Sequence, residues 1–180
     1  MQYRRERTAG GTYFFTVVTF MRRPILCHPD AIEKIKNGFK HVMEKHPFTV
    51  DAMVLLPDHL HCLWTLPEND RDFSIRWRLI KSHFTRAYDG KLKLIPSGSR
   101  NRKRERAVWQ RRFWEHMIRD ENDYDKHVEY IHYNPVKHGF VDAPAEWQHS
   151  TFHRFITNGL YPKDWGAEKK IKFDKAIGND

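Results

Sequence analysis

Phe48-Thr49-Val50-Asp51-Ala52-Met53-Val54-Leu55-Leu56-Pro57-Asp58-His59-Leu60-His61-Cys62-Leu63-Trp64-Thr65-Leu66 is the stretch that decides the fold. Phe48 to Leu56 and His59 to Leu66 read as strands, and Pro57-Asp58 is too short a link for anything but a turn, so the two form an antiparallel hairpin. Successive side chains on a strand point to opposite faces. Leu60, Cys62, Trp64 and Leu66 therefore share a face suited to packing under helices, and His59 and His61 share the other.

Working outward, Tyr13 to Phe20 is a run of aromatic and β-branched residues and reads as a first strand. Asp30 is placed to cap a helix from Ala31 to about His46, with Ile32, Ile35, Phe39, Val42 and Met43 at helical spacing and Pro47 as the stop. Phe73 to Tyr88 carries Ile75, Leu79, Ile80 and Phe84 on one stripe and reads as a second helix. Gly90 to Arg106, with Pro96, Gly98 and the charge block Arg100 to Arg106, reads as a mobile loop. Val108 to Ile118 reads as a fourth strand. Asp120 opens a helix from Glu121 that Pro135 is expected to end. Beyond Gly139 the chain is aromatic, polar and irregular and is expected to wrap the domain. The order strand, helix, strand, strand, helix, strand fits a ferredoxin-like α+β sandwich, an antiparallel sheet with two helices on one face. The histidines then fall on the face those two helices leave open, with the extra helix available to cover it.

The chain has 180 residues, 39% of them hydrophobic and 14% aromatic, enough for one domain with a core. Its formal charge of +9 points to a polyanionic partner, nucleic acid first and an anionic membrane surface second. No apolar run is long enough to span a bilayer. Met1 to Arg7 is charged and leads into a strand-like run, unlike a signal peptide. Cys27 and Cys62 make no disulfide framework. A cytoplasmic protein is expected. None of this separates an enzyme from a binding module.

An alternating histidine pair on a strand is either a pair of satisfied or solvated side chains or the start of a metal site, which needs at least one more ligand and open positions. Tyr130 and Asn134 are four apart on the last helix and share a face. Over the open side of the sheet, the Asn134 amide oxygen could complete such a site and the Tyr130 hydroxyl point at whatever it holds. Tyr130 also reads as a core aromatic, and Asn134 as a residue that ends a helix before proline.

Three stretches, Leu56-Pro57-Asp58-His59-Leu60-His61, Trp109 to His116 (WQRRFWEH) and Tyr130 to Gly139 (YIHYNPVKHG), closely resemble the REP-associated tyrosine transposases. These are a branch of the single-tyrosine HUH nucleases related to small insertion-sequence transposases. The likeness runs from about Tyr13 to about Trp165 and includes Arg76-Trp77 and Ile80-Lys81; Leu56 stands where methionine is usual. The resemblance implies a ferredoxin-like or RRM-like core with an additional catalytic helix, and residues 1–140 as the HUH single-tyrosine domain with 141–180 as an extension that wraps it or contacts DNA. It implies metal-dependent cleavage and rejoining of single-stranded DNA beside a palindromic hairpin. Tyr130 would be the nucleophile, forming a 5′-phosphotyrosine; His59, His61 and Asn134 would hold Mg²⁺ or Mn²⁺. The REP-associated branch implies a monomer, and the insertion-sequence relatives a dimer.

The basic segments fit a DNA partner. Arg4, Arg5 and Arg7 form an N-terminal arm, and Arg100, Arg102, Lys103, Arg104 and Arg106 join Arg111 and Arg112 in a second cluster. Trp109, Phe113 and Trp114 between them are read as core. Lys137 is placed to touch a phosphate, or to serve as a helix-end cation with His138. Two other readings remain: an RRM-like module that binds without catalysis, and a replication or relaxation HUH endonuclease in which Tyr133 is a second tyrosine.

Overall fold

A computed structural model describes residues 7–88, 107–167, 171–174 and 177–178. Its sheet is built from β1 (Thr12–Val18), β2 (Thr49–Leu55), β3 (His59–Thr65) and β4 (Trp114–Met117), all antiparallel in the order β2-β3-β1-β4. Helices α1 (Pro29–Lys45) and α2 (Phe73–Ala87) cover one face. A third helix, α3 (Glu121–Lys137), lies on the other face. The ferredoxin-like arrangement expected from the sequence is the one observed.

The two faces follow from the period of the strands. Tyr13, Phe15 and Val17 of β1 and Leu60, Cys62 and Trp64 of β3 point toward α1 and α2. There Trp64 stacks on Trp77 with ring centroids 4.5 Å apart, and Phe48 packs against Trp64 at 4.3 Å. Phe14, Ala52, Val54 and Leu63 point the other way, under Val128, Tyr130 and Ile131 of α3. Arg76 is fully buried beside the larger core. It donates to the carbonyls of Asp72 (2.8 Å) and Pro47 (2.7 Å) and to Asp70 Oδ2 (2.7 Å), so its charge enters the interior with its partners.

Four local expectations need correction. The cap of α1 is His28, with Pro29 in the first turn, where a missing amide donor costs nothing; Asp30 sits one residue inside and pairs with Lys34. The fourth strand is only Trp114–Met117: Trp109 makes a single bridge to Thr19, and Lys81 donates to the Gln110 carbonyl, so the approach to β4 is pinned by isolated bonds. Pro135 does not end α3, which runs two residues further. So near the C-terminus a proline removes one intrahelical bond, and the end is made by Gly139 at φ +70°, with the Gly139 and Phe140 amides donating to the carbonyls of Val136 and Pro135. Beyond Gly139 the chain is more regular than expected, with a 3-10 turn at Pro144–Glu146 and a short helix α4 (Phe152–Thr157).

This last segment docks on the free edge of β2. The Leu55 amide donates to the His149 carbonyl (2.8 Å), the Thr151 amide to the Met53 carbonyl (2.9 Å) and Trp147 Nε1 to the Leu55 carbonyl (3.0 Å). An edge that could pair with another chain is thereby occupied. Phe152, Phe155 and Tyr161 surround His132 on the outer side of α3. That explains how a helix rich in polar residues is buried on two sides.

Candidate active site on the open face of the sheet

The centre of the α3-covered face is the cross-strand row Thr16, His61, Val54. His61 is fully buried and its Nδ1 lies 3.0 Å from Thr16 Oγ1. His59 is two residues away, its ring centroid 4.9 Å from that of His61, and its Nδ1 is 2.6 Å from Asp58 Oδ1. Burial opposes ionisation of Asp58, but the hydrogen bond and charge of His59, and then of Arg22, outweigh it and hold the carboxyl at about 2. A carboxylate on Nδ1 fixes tautomer and ring orientation, so Nε2 is the nitrogen that His59 would offer to a metal. The alternation of the sequence marks the two histidines. Asp58 and Thr16, which orient them, it does not: Asp58 reads as a turn residue, and Thr16 meets His61 only through strand register.

α3 brings the remaining groups. Asp120 caps it by accepting from the Asp123 amide at 2.8 Å, and Glu121 and Asp123 in its first turn suit the helix dipole. The Tyr130 ring packs on His61 with centroids 5.2 Å apart, and two turns later the His138 ring is 5.2 Å from that of His59. Asn134 lies midway between those two contacts on the same stripe of the helix, which faces it toward the histidine pair. It is fully buried, and neither its Oδ1 nor its Nδ2 has a hydrogen-bond partner among the described residues. A buried amide left unmatched costs about 1–3 kcal/mol. Two imidazoles and an orphaned amide oxygen on one buried stripe suit a divalent cation.

Lys137 is where sequence spacing left a choice. The residue is exposed, but its Nζ donates to the Tyr130 hydroxyl at 2.9 Å and sits 4.7 Å from the ring centroid. Tyr133 is turned away from the histidines, toward Trp165 and Phe173. The C-terminal segment closes over Tyr130, which is 1% exposed: the Phe173 ring is 5.3 Å from its ring, and a Cβ built on Gly178 would overlap its hydroxyl. The sequence pattern leads to a C-terminal wrap but does not single out Tyr130 as what it covers.

Of the basic residues, Arg111 and Arg112 are exposed, and Arg112 lines a groove of about 400 Å³ with Thr16, Arg22, Gln110 and Trp114. Because Thr16 also holds His61, the groove opens beside the histidine pair. Trp109 is core, as expected, whereas Trp114 faces the α3 side. Arg4, Arg5, Arg100, Arg102, Lys103, Arg104 and Arg106 lie outside the described residues. A further group on the same face is contained in no single sequence motif: His116, Asp123 and His127 bring potential metal-binding atoms within 4.8 Å of one another. No helix among the described residues is long and apolar enough to cross a membrane.

Comparisons with known proteins place the chain in a family. Residues 8–134 match the family described as IS200-like transposases. The REP-associated tyrosine transposase of Escherichia coli K12 is 46% identical over 167 residues, covering 93% of this chain and 92% of that protein. A Haemophilus influenzae protein of the same family name is 43% identical over 170 residues, covering 94% of this chain and 96% of the relative. A solved structure of a REP-associated tyrosine transposase bound to a REP hairpin superposes with a TM-score of 0.83 at 42% identity, covering 100% of this chain and 98% of that one. The chain therefore belongs to the IS200-like transposases, a family of DNA-processing enzymes, in their REP-associated tyrosine branch.

Proposed function

We propose that the chain cleaves and rejoins single-stranded DNA beside a palindromic hairpin, with Tyr130 as nucleophile and a 5′-phosphotyrosine as intermediate. The observation that carries this is the Tyr130 hydroxyl, which accepts from Lys137 Nζ on a ring packed against His61. His59, His61 and Asn134 would hold Mg²⁺ or Mn²⁺, which when bound polarises the scissile phosphate and offsets charge in the transition state.

A free phenol has a pKa near ~10, so tyrosine attacks well only if its proton leaves as the bond forms or if nearby charge favours phenolate. The Lys137 ammonium supplies that charge at the oxygen itself. Attack makes the Tyr130 Oη–P bond and breaks the bond from phosphorus to the 3′-oxygen, which takes a proton and leaves as a 3′-hydroxyl. The phosphotyrosine keeps the phosphodiester energy, so a 3′-hydroxyl can displace Tyr130 and rejoin DNA without ATP. Arg111 and Arg112, with the basic segments at 4–7 and 100–106, would bind the phosphate backbone without reading sequence. α3 packs on its own sheet, so one chain supplies every group and a monomer suffices. Residues 141–180 serve as an extension to the catalytic unit of residues 1–140.

A binding module of the RRM type needs an accessible sheet face for bases to stack on. Here that face is under α3, and Phe14, the aromatic on its central strand β1, is fully buried. The test is a covalent adduct. Hairpin DNA with a single-stranded flank, labelled on the 3′ segment, is incubated with Mg²⁺ or Mn²⁺ and resolved under denaturing conditions. An adduct is expected for the wild type and Tyr133→Phe and absent for Tyr130→Phe. Loss in Tyr133→Phe alone would reassign the nucleophile, and no adduct over a range of flanks would leave a binder.

A further inference from the structure

His116 on β4 and Asp123 and His127 on α3 gather at the start of the tyrosine helix. Asp123 and His127 are one turn apart, so they share a face, and that face meets the strand at His116. Asp123 Oδ2 lies 2.8 Å from His116 Nε2 and Oδ1 lies 3.2 Å from His127 Nδ1. The two imidazoles stack at 4.6 Å with 15° between their planes. Burial opposes ionisation of Asp123, but the His116 hydrogen bond and the Arg119 amide outweigh it and hold its carboxyl below the usual range. His127 is 2% exposed; its Nδ1 is 2.7 Å from the Asp123 carbonyl, and its Nε2 has no hydrogen-bond partner among the described residues.

We propose that His116, Asp123 and His127 form a second metal site, distinct from the His59, His61 and Asn134 group, that takes a borderline transition-metal dication of the zinc class. Two imidazoles and one carboxylate are a three-ligand zinc set, with a fourth position for water. Two imidazoles with an ionised carboxylate, in place of the neutral amide of the first site, suit a zinc-class ion. The His127 Nδ1 contact with a main-chain carbonyl is the kind of outer bond that orients a ligating ring and leaves Nε2 for the ion. His116 and Asp123 are 21% and 20% exposed, which gives the ion a way in and a place for the water.

The site would act on position. It ties α3 to β4 one turn before Tyr130. The two centres are separated by a single ring, Phe14, 4.9 Å from His127, 5.4 Å from His61 and 5.9 Å from Tyr130. A clasp at His127 therefore sets how Tyr130 lies against His61.

The test reads metal directly and does not depend on cleavage. The full chain carrying His59→Ala and His61→Ala, which removes both imidazoles of the first site, is stripped with EDTA, loaded with Zn²⁺ and freed of excess by gel filtration. About one zinc per chain is expected by elemental analysis, with a rise in Tm that saturates near one equivalent and a visible Co²⁺ band on substitution. Adding His116→Gln, at a part-exposed position, should remove the zinc and the Tm response; circular dichroism reports whether that variant folds. No zinc in the double variant, or stoichiometry unchanged by both His116→Gln and Asp123→Asn, overturns the proposal and leaves a hydrogen-bonded bracket. Absence of a Tyr130 adduct in the wild-type chain, with zinc still bound by the double variant, would count against the proposed reaction alone.

Discussion

Lys137→Met should slow formation of the phosphotyrosine about tenfold at neutral pH and leave DNA affinity almost unchanged. Methionine keeps the length of the stem and removes the ammonium whose Nζ lies 2.9 Å from the Tyr130 hydroxyl. A hydrogen bond to a charged group contributes about 1.5–3 kcal/mol, and the exposure of Lys137 puts this one at the lower end. About 1.4 kcal/mol is tenfold in rate. The assay is single-turnover adduct formation with saturating hairpin DNA and Mn²⁺ as a function of pH, beside binding measured at several salt concentrations. If the lysine stabilises the phenolate, the deficit shrinks as pH rises toward the range where a phenol ionises unaided. Lys137→Arg, which keeps a charged donor, recovers part of the rate. If Lys137 is instead a phosphate contact, affinity falls and the salt slope drops by about one. That result, or a deficit constant across pH, refutes the assignment.

Gly178→Ala should raise the rate of adduct formation about 5–30-fold. Its φ of +76° and the overlap of a new Cβ with the Tyr130 hydroxyl disfavour the closed tail by about 1–2 kcal/mol, and an unchanged rate would show that the tail does not limit access. Burial, and then the charge of Arg154, push the His132 imidazole down to about 3, so the folded state holds this ring neutral where the unfolded chain binds a proton. The contribution is complete above pH ~6.5 and is lost as pH falls toward 3, by up to ~5 kcal/mol. Thermal melts should show Tm declining with acid below pH ~6.5 in the wild type and less steeply in His132→Phe; parallel acid limbs would refute it.

Much of the molecule can be read from local periods. The two-residue alternation in β3 put the histidines opposite Trp64, and the helical spacing of Tyr130 and Asn134 put them on one stripe, because both periods are properties of the backbone and survive folding unchanged. What could not be read depends on partners far apart in sequence. Thr16 meets His61 through the register of β1 on β3, which no window of either strand contains. His116 reaches Asp123 and His127 only once β4 and α3 are packed, although the Asp123–His127 spacing alone was visible. Pro135 misled for the opposite reason: a strong local rule applied at a helix end, where the bond it removes is one of the last and Gly139 supplies the termination.

The histidine pair and Tyr130 are at most 2% exposed, so the proposed centre has to open to take up a phosphate. Two layers cover them, and they are not equivalent. α3 supplies Tyr130, Asn134 and Lys137, so lifting it would dismantle the site it uncovers. The segment holding Phe173, Ile177 and Gly178 packs on the same face and supplies none of the groups named for the chemistry. Among the described residues it meets Tyr130 at the Phe173 ring and at Gly178, while Val128 and Ile131 fasten α3 to Phe14, Val54 and Leu63. Of the two layers, only the tail can move away without removing a group named for the chemistry. On the proposed reaction, opening for a phosphate would fall to this segment, which the Gly178→Ala rates test, and placement of Tyr130 to the helix beneath it.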